Sequence, residues 1–178
     1  MGLLNVTSNL ATGTISTMSD GIGDELEIRR RNLPHWQKSG ASYFVTFNAR
    51  RFLPERARQI VLDVIERDHE NRYWLHAAVV MPDHCHCLLR PTTMATGKSY
   101  DLAVVMKGIK GTSSREINVL FGTKESVWQK ESHDRLIRRE GEFHEKRTYI
   151  RWNPCRAGLV TFPEDFPFFV EHPAESWF

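Results

Sequence analysis

Two strand-like segments lie back to back near the middle of the chain, and they constrain its fold more than any other feature. The first, RYWLHAAVVMPDH (72–84), favours a strand, and HCHCLLRP (84–91), which begins at the shared His84, favours a neighbouring strand. Pro82 and Asp83 stand where the two segments meet and favour a turn. The sequence therefore predicts two neighbouring strands joined by a turn.

Segments with helical periodicity stand on both sides of these strands. LPERARQIVLDVIERDH (53–69) carries apolar residues at helical spacing, and Pro54 suits a first helical turn. SYDLAVVMKGIKGTSSREINVLF (99–121) also favours a helix, with Ser99 as the predicted N-cap. Each of the two strands is thus flanked by a predicted helix.

The outer segments complete an alternating order of strands and helices. ASYFVTFNAR (41–50) and VWQKESHDRLIR (127–138) favour strands, and GEFHEKRTYIRWN (141–153) favours a helix stopped by Pro154. The order β-α-β-β-α-β-α is typical of the ferredoxin-like, split βαβ fold with one extra helix. We therefore predict an α+β fold, in which an antiparallel sheet has helices over one face and an extra C-terminal helix carries Tyr149.

Composition favours an ordinary globular protein. The 178 residues are 40% hydrophobic, the formal net charge is +2, and the three cysteines do not suggest a disulfide framework. No run of residues reaches the ~18 apolar residues of a membrane span, and the N-terminus does not resemble a signal peptide. We expect a cytoplasmic protein with a leader over residues 1–28 and one domain, with a C-terminal tail, over residues 29–178.

His84 and His86 form a His-x-His pair interleaved with Cys85 and Cys87. Side chains alternate between the two faces of a strand, so the histidines point to one side and the cysteines to the other. This argues against a zinc knot that uses all four side chains, and it predicts that the cysteines are small core residues. The histidines are then either buried and hydrogen-bonded or two ligands of a metal ion.

The segment YIRWNP (149–154) offers a matching set of residues. Tyr149 and Asn153 are four residues apart, so a helix places them on one face. Two imidazoles and an amide oxygen make an open ligand set that suits Mg²⁺ or Mn²⁺, and Tyr149 beside that ion is a candidate nucleophile. Alternatively, Tyr149, Ile150 and Trp152 belong to the core, and Asn153 caps the helix before Pro154.

Five blocks of sequence in this order resemble the single-tyrosine HUH transposases, and most closely the REP-associated tyrosine transposases. The resemblance runs from Arg31 to Val160, with a short basic lead-in, and two residues depart from the family pattern: Asp83 replaces the usual Asn, and Cys85 stands where Val is common. The blocks are RRRNLPHWQKSGASYFVTFNAR, AAVVMPDHCHCLLRP, MKGIKGTSSREIN, VWQKESHDRLIR and YIRWNPCRAGLV.

The resemblance implies a metal-dependent cleavage of single-stranded or hairpin DNA. His84 and His86 stand at the metal-ligand positions, Asn153 at the position of a third ligand, and Tyr149 at that of the nucleophile. The family chemistry links a 5′-phosphate to the tyrosine, releases a 3′-hydroxyl and permits strand transfer. We expect Mg²⁺ or Mn²⁺ as the cofactor and a monomer as the active form, with a homodimer as the alternative.

Basic residues supply candidate DNA contacts. The second predicted helix carries three of them, and the cluster Arg29, Arg30 and Arg31 precedes the fold. Lysine and arginine contacts to phosphates position DNA without reading its sequence. For each residue, a solvated basic surface is the alternative. The three helical residues are Lys107, Lys110 and Arg115.

Three rival functions remain to be compared with DNA cleavage. A domesticated protein that binds DNA hairpins without cutting them would not need the His84, His86, Tyr149 and Asn153 set. A barrel-type metal hydrolase needs ~200 residues or more, and the chain has no further Asp/His cluster to complete its site. An RNA-binding ferredoxin-like module would carry aromatic residues on its central strands, where this sequence has two histidines.

Overall fold

The structure is a computed structural model that describes residues 40–173. Within these residues it contains five strands, three α-helices and one short 3-10 helix. The strands are β1 (Tyr43–Ala49), β2 (Tyr73–Val80), β3 (His84–Pro91), β4 (Trp128–Leu136) and β5 (Phe169–Glu171). The α-helices are α1 (Glu55–Arg67), α2 (Leu102–Phe121) and α3 (Glu140–Arg156), and the 3-10 helix is Pro163–Asp165.

The strands form one antiparallel sheet in the order β4-β1-β3-β2-β5. The first four strands occur in the predicted chain order with the predicted helices between them, which confirms the α+β, ferredoxin-like fold. Strand β5 was not predicted. It pairs with β2 over Ala77–Val79, and the Val80 backbone N–H donates to the Phe168 carbonyl. A strand of three residues is too short to give a periodic signal.

One face of the sheet forms the main core. Val45 and Phe47 of β1 are fully buried on this face, and in register they stand opposite Cys87 and Cys85 of β3. Trp128 packs edge-on against Phe47, and its indole N–H donates to the Ser113 hydroxyl of α2. Both cysteines are fully buried, so the prediction that they are core residues is confirmed.

Helix α3 packs on the opposite face. Phe143 lies edge-on to the His76 ring of β2 at 4.8 Å between centroids, and Tyr149 lies edge-on to Phe44 of β1 at 5.9 Å. Phe44 alternates with Val45 and therefore points away from the main core. The extra helix thus covers the side of the sheet that carries the histidine pair.

Three predicted helix boundaries need correction. Asp101, not Ser99, is the N-cap of α2, and its carboxylate accepts from the Ala103 backbone N–H at 2.7 Å. Pro54 is the N-cap of α1 and does not lie in its first turn. Pro154 lies inside α3, which continues to Arg156. Proline removes one backbone donor from the helix, but the chain stays helical for two further residues before the helix ends.

Two further expectations concern the N-terminal residues and the absence of a membrane span. The predicted leader over residues 1–28 and the basic residues Arg29, Arg30 and Arg31 lie outside the described residues. Among the helices of residues 40–173 there is none that is long and apolar enough to span a membrane.

Candidate active site

The turn before β3 holds the histidine pair at one end of the sheet. Backbone N–H groups of Ala49 and Leu53 donate to the carbonyls of Asp83 and Pro82 at 2.7 and 2.6 Å. These bonds join the turn to the end of β1. His84 and His86 follow on the α3 side, with ring centroids 4.7 Å apart. Strand alternation therefore places both rings on one face, as predicted.

Each histidine has one ring nitrogen engaged by a neighbouring side chain. His84 Nδ1 lies 2.7 Å from the Asp83 carboxylate, and His86 Nδ1 lies 2.8 Å from the Thr46 hydroxyl. The Nε2 atom of His86 is buried and has no hydrogen-bond partner within the described part of the chain. A histidine whose Nδ1–H donates to an oxygen presents the Nε2 lone pair, which is the usual arrangement of a metal ligand.

Burial keeps the His86 ring neutral. Its side chain is 5% exposed, and loss of hydration lowers its pKa to about 3, with His84 adding to the decrease and Asp83 opposing it. A metal ligand must offer a neutral imidazole. The environment of His86 therefore meets the protonation requirement of a ligand across the physiological pH range.

Tyr149 and Asn153 approach the histidines from α3. The Tyr149 ring lies 5.2 Å from the His86 ring, edge-on. Tyr149, Asn153 and His84 line one open cleft of about 540 Å³. The structure therefore brings together the four residues that the sequence singled out, two from β3 and two from a helix on the same side of the sheet.

The alternative interpretation of this helix is only partly consistent with the structure. Ile150 is fully buried in the core, whereas Trp152 is 43% exposed. Tyr149 is half-buried and lines the cleft. Asn153 is an internal residue of α3 whose carbonyl accepts from the Ala157 backbone N–H, so it does not cap the helix end. Asn153 is 8% exposed and lines the cleft.

Two cations near Tyr149 were missed by the sequence analysis. Lys146 Nζ lies 6.0 Å from the centroid of the Tyr149 ring, and the Arg156 guanidinium lies 5.5 Å from it. Both belong to α3, three residues before and seven residues after the tyrosine, so helical spacing could have identified them. They place positive charge beside the Tyr149 ring. Arg156 also lines the cleft, whereas the Lys146 ammonium donates to the Glu145 carboxylate at 2.8 Å.

The cations predicted on α2 lie elsewhere. Lys107, Lys110 and Arg115 do not line the cleft. The Lys110 ammonium donates to the Lys130 carbonyl at 3.0 Å and to the Ser132 hydroxyl at 3.1 Å, on the core side of β4. Lys107 and Arg115 are exposed. Their contact with DNA stays a prediction, and it would require DNA to extend beyond the cleft.

The donor set for a metal ion is small. Residues 40–173 contain no group of three or more His, Cys, Asp or Glu side chains placed to hold a metal ion. A third protein ligand beside His84 and His86 would therefore have to be of another type, and Asn153, which lines the same cleft, carries an amide oxygen. Two imidazoles, one amide and open positions for water or phosphate suit Mg²⁺ or Mn²⁺ better than structural zinc.

Comparisons with known proteins agree with this architecture. The sequence model of the family described as "Transposase IS200 like" matches residues 44–149, from β1 to the candidate nucleophile. A REP-associated tyrosine transposase of Escherichia coli (strain K12) is 26% identical over 137 residues, which are 75% of this chain and 78% of that protein. A solved structure of a REP-associated tyrosine transposase bound to a REP hairpin has a TM-score of 0.64 at 22% identity, covering 77% of this chain and 80% of that one.

Proposed function

Because the chain belongs to the family of IS200-like transposases, as its sequence predicted, we propose that it cuts and rejoins single-stranded DNA beside a hairpin. One observation carries the proposal: His84, Tyr149 and Asn153 line one cleft, and the buried His86 adjoins it. The relative of similar fold is bound to a REP hairpin, which supports hairpin DNA as the partner. We take the active form to be a monomer in the cytoplasm, with a homodimer as the alternative.

The residues present fit a divalent metal ion. His84 and His86 would each offer Nε2, because Asp83 and Thr46 engage the Nδ1 atoms, and Asn153 would offer its amide oxygen. The unpartnered, buried Nε2 of His86, with the His84 ring 4.7 Å away at an open cleft, is consistent with a ligand. When bound, Mg²⁺ or Mn²⁺ supplies a Lewis acid that neutralises charge on the oxygens of the scissile phosphate.

Tyr149 is the proposed nucleophile. Its hydroxyl oxygen forms a bond to phosphorus while the bond from phosphorus to the 3′ oxygen breaks. The products are a 5′-phosphotyrosine and a DNA end with a 3′-hydroxyl, and the proton that leaves the phenol balances the one that the 3′ oxygen gains. Lys146 and Arg156 lie beside the ring and would hold the phosphate oxygens during the attack.

The covalent step conserves the energy of the phosphodiester bond. A 3′-hydroxyl can attack the phosphotyrosine and displace Tyr149, which reverses the first step. If the attacking hydroxyl comes from another DNA end, the result is strand transfer and not hydrolysis. The reaction needs no nucleotide cofactor, because the phosphotyrosine bond keeps the free energy needed to form the new phosphodiester bond.

A covalent adduct tests the nucleophile. The protein is incubated with labelled single-stranded hairpin DNA and Mn²⁺, and the adduct is measured on denaturing gels. We expect Tyr149→Phe to reduce adduct yield to background while hairpin binding stays within about twofold, because only the hydroxyl of one cleft-lining side chain is lost. Tyr100→Phe is the matched control and should form adduct normally, since Tyr100 precedes α2 and does not line the cleft.

The other outcomes are equally informative. Full adduct formation by Tyr149→Phe would contradict the nucleophile assignment. Of the other tyrosines, Tyr43 and Tyr73 are poor substitutes, because Tyr43 is buried in the core and the buried Tyr73 hydroxyl donates to the Ile65 carbonyl, so Tyr100 would be tested next. Hairpin binding by the wild-type protein without any adduct would instead favour a domesticated, non-cleaving DNA-binding protein.

A further inference from the structure

An exposed phenylalanine lies between the catalytic cleft and a second cavity. Phe52 follows β1 and is 70% exposed. It lines the cleft that holds Tyr149 and Asn153, and it also lines a separate cavity of about 210 Å³. It is the one residue that the two share.

The second cavity, here called the Phe52 pocket, is mainly apolar. Besides Phe52, its apolar side chains include Leu53, Ile117, Phe121 and Val127. They come from the loop after β1, the last part of α2 and the residue before β4, all at the end of the sheet where His84 begins β3. The pocket is smaller than the roughly 300–1,000 Å³ of typical small-molecule sites, and its size suits a single planar ring system.

The loop that carries Phe52 is held by backbone hydrogen bonds on both sides. The Arg50 backbone N–H donates to the Val127 carbonyl at 2.8 Å, and the Leu53 backbone N–H donates to the Pro82 carbonyl at 2.6 Å. Pro82 belongs to the turn that positions His84. The loop backbone on both sides of Phe52 is therefore held relative to the histidine pair, so a ligand that stacks on Phe52 loses little entropy through ordering of the loop.

We propose that the Phe52 pocket holds one unpaired base of the DNA strand next to the scissile phosphate, an inference that rests on the function proposed above. Phe52 stacks on the base, and Arg51 contacts the attached backbone. The Arg51 side chain is 77% exposed and pairs with Glu125 at 2.6 Å. Exposed pairs of this kind are worth only about 0–1 kcal/mol, so a phosphate can compete for the guanidinium.

The polar groups around the pocket indicate how the base is recognised. The Asn118 amide is already used within the chain, because it donates to the Glu125 carbonyl and accepts from the Thr123 hydroxyl. The Ser126 hydroxyl donates to the Trp128 carbonyl. These side chains have little capacity left to read the edge of a base, so the pocket recognises a π-face and accepts any of the four bases.

Fluorescence of 2-aminopurine tests the pocket without requiring cleavage. The Tyr149→Phe protein is titrated into hairpin oligonucleotides that carry 2-aminopurine at successive unpaired positions beside the hairpin. We expect stacking to quench one position strongly. Phe52→Ala in the same background should remove most of that quenching and weaken binding about 5- to 150-fold, the loss expected for one stacked base.

Controls separate stacking from damage to the fold. Phe52→Trp keeps an aromatic face and should restore both quenching and affinity. Phe162→Ala is the matched control, because Phe162 is 56% exposed and lines neither cavity, and it should behave like the parent protein. An abasic nucleotide at the quenched position should weaken binding to the parent protein and leave binding to Phe52→Ala unchanged.

Three results would overturn the inference: no quenched position, unchanged quenching in Phe52→Ala, or loss of self-association in Phe52→Ala on sedimentation, which would assign the pocket to a second copy of the chain. Failure of the proposed function is a different result. In that case the wild-type protein forms no covalent adduct, whereas quenching at the Phe52 pocket does not depend on Tyr149 and can be measured regardless.

Discussion

Two buried histidines on the same sheet have nearly the same local chemistry and different surroundings. His76 of β2 is fully buried and His86 of β3 is 5% exposed. Each bonds to one hydroxyl, Ser42 for His76 at 3.2 Å and Thr46 for His86 at 2.8 Å. In each ring the second nitrogen is buried without a hydrogen-bond partner in the described chain, and burial lowers both pKa values to about 3.

The difference lies in the groups that surround each ring. The His84 ring lies 4.7 Å and the Tyr149 ring 5.2 Å from the His86 ring, and both His84 and Tyr149 line an open cleft. His76 has the Phe143 ring edge-on at 4.8 Å, and the charges that act on it most are those of Arg90 and Arg147. An unpartnered nitrogen alone therefore does not mark a metal site. What distinguishes His86 from His76 is a second histidine ring beside it and an open cleft that this second histidine lines.

Substitution of the proposed metal ligands should have the largest effect and should show most clearly that His86 and His76 have different roles. We expect His84→Ala and His86→Ala to lower adduct yield by about 10²–10⁴-fold, because the phosphate loses a Lewis acid worth several kcal/mol. Asn153→Ala should be milder, roughly tenfold, since water can replace one oxygen ligand. The measurements are adduct yield on denaturing gels and Mn²⁺ binding by titration calorimetry.

His76→Gln is the control for that series. It should form adduct and bind Mn²⁺ as the wild-type protein does, at a temperature where it remains folded. Wild-type Mn²⁺ affinity in His86→Ala would end the assignment of His86 as a ligand. Loss of Mn²⁺ binding in a folded His76→Gln protein would contradict the proposal that His86 takes part in metal binding and His76 does not.

The two hydroxyl groups that contact these histidines should also differ in their effect on Mn²⁺ affinity. This effect should be smaller than that of removing a histidine. Thr46→Val keeps the shape of the side chain and removes the oxygen that engages His86 Nδ1. Loss of such an outer contact typically weakens metal affinity about 10- to 100-fold. Ser42→Ala removes the corresponding partner of His76 and should leave Mn²⁺ affinity unchanged. Thr46→Ser keeps a hydroxyl beside His86 and should retain the wild-type affinity that Thr46→Val loses. Equal affinities in Thr46→Val and the wild-type protein would contradict this role.

The fold and the four central site residues follow from two periodicities in the sequence. Alternation along β3 predicts that His84 and His86 share a face, and spacing of four residues predicts the same for Tyr149 and Asn153. That these two pairs meet came from the resemblance, because neither periodicity says which face α3 covers. The outcome depends on packing between residues far apart in sequence, such as Phe143 against His76.

Other features could not be read from one sequence. The contact between Thr46 and His86 depends on the register between β1 and β3, which hydrogen bonding in the folded sheet sets. Phe52 gives no periodic signal, since it lies in a loop whose position is fixed by the turn at Pro82. His76 reads as one more residue in an apolar strand, and its burial depends on a helix almost seventy residues away.

The last prediction concerns the stability of the folded protein at low pH. Burial, with Arg90 and Arg147 adding to it, lowers the pKa of His76 from its ordinary value of 6.5 to about 3 in the folded protein. Between these two values the unfolded chain binds a proton at this residue and the folded chain does not. The free energy of unfolding must therefore fall as the pH decreases from 6.5 towards 3, by up to about 1.4 kcal/mol per pH unit for this group. It is unaffected by His76 above pH 6.5.

Chemical denaturation of the metal-free protein at a series of pH values measures this dependence. His76→Gln removes the proton-binding group and keeps a polar partner for the Ser42 hydroxyl. Between pH 6 and pH 4, the slope of the free energy of unfolding against pH should therefore decrease by the equivalent of about one bound proton. Mn²⁺ at pH 7 provides the contrast, because it should stabilise both the wild-type protein and His76→Gln by mass action, but not His86→Ala. An unchanged pH dependence in His76→Gln would mean that the His76 ring is hydrated or already protonated in the folded state, and the similarity between the two buried histidines would then be lost.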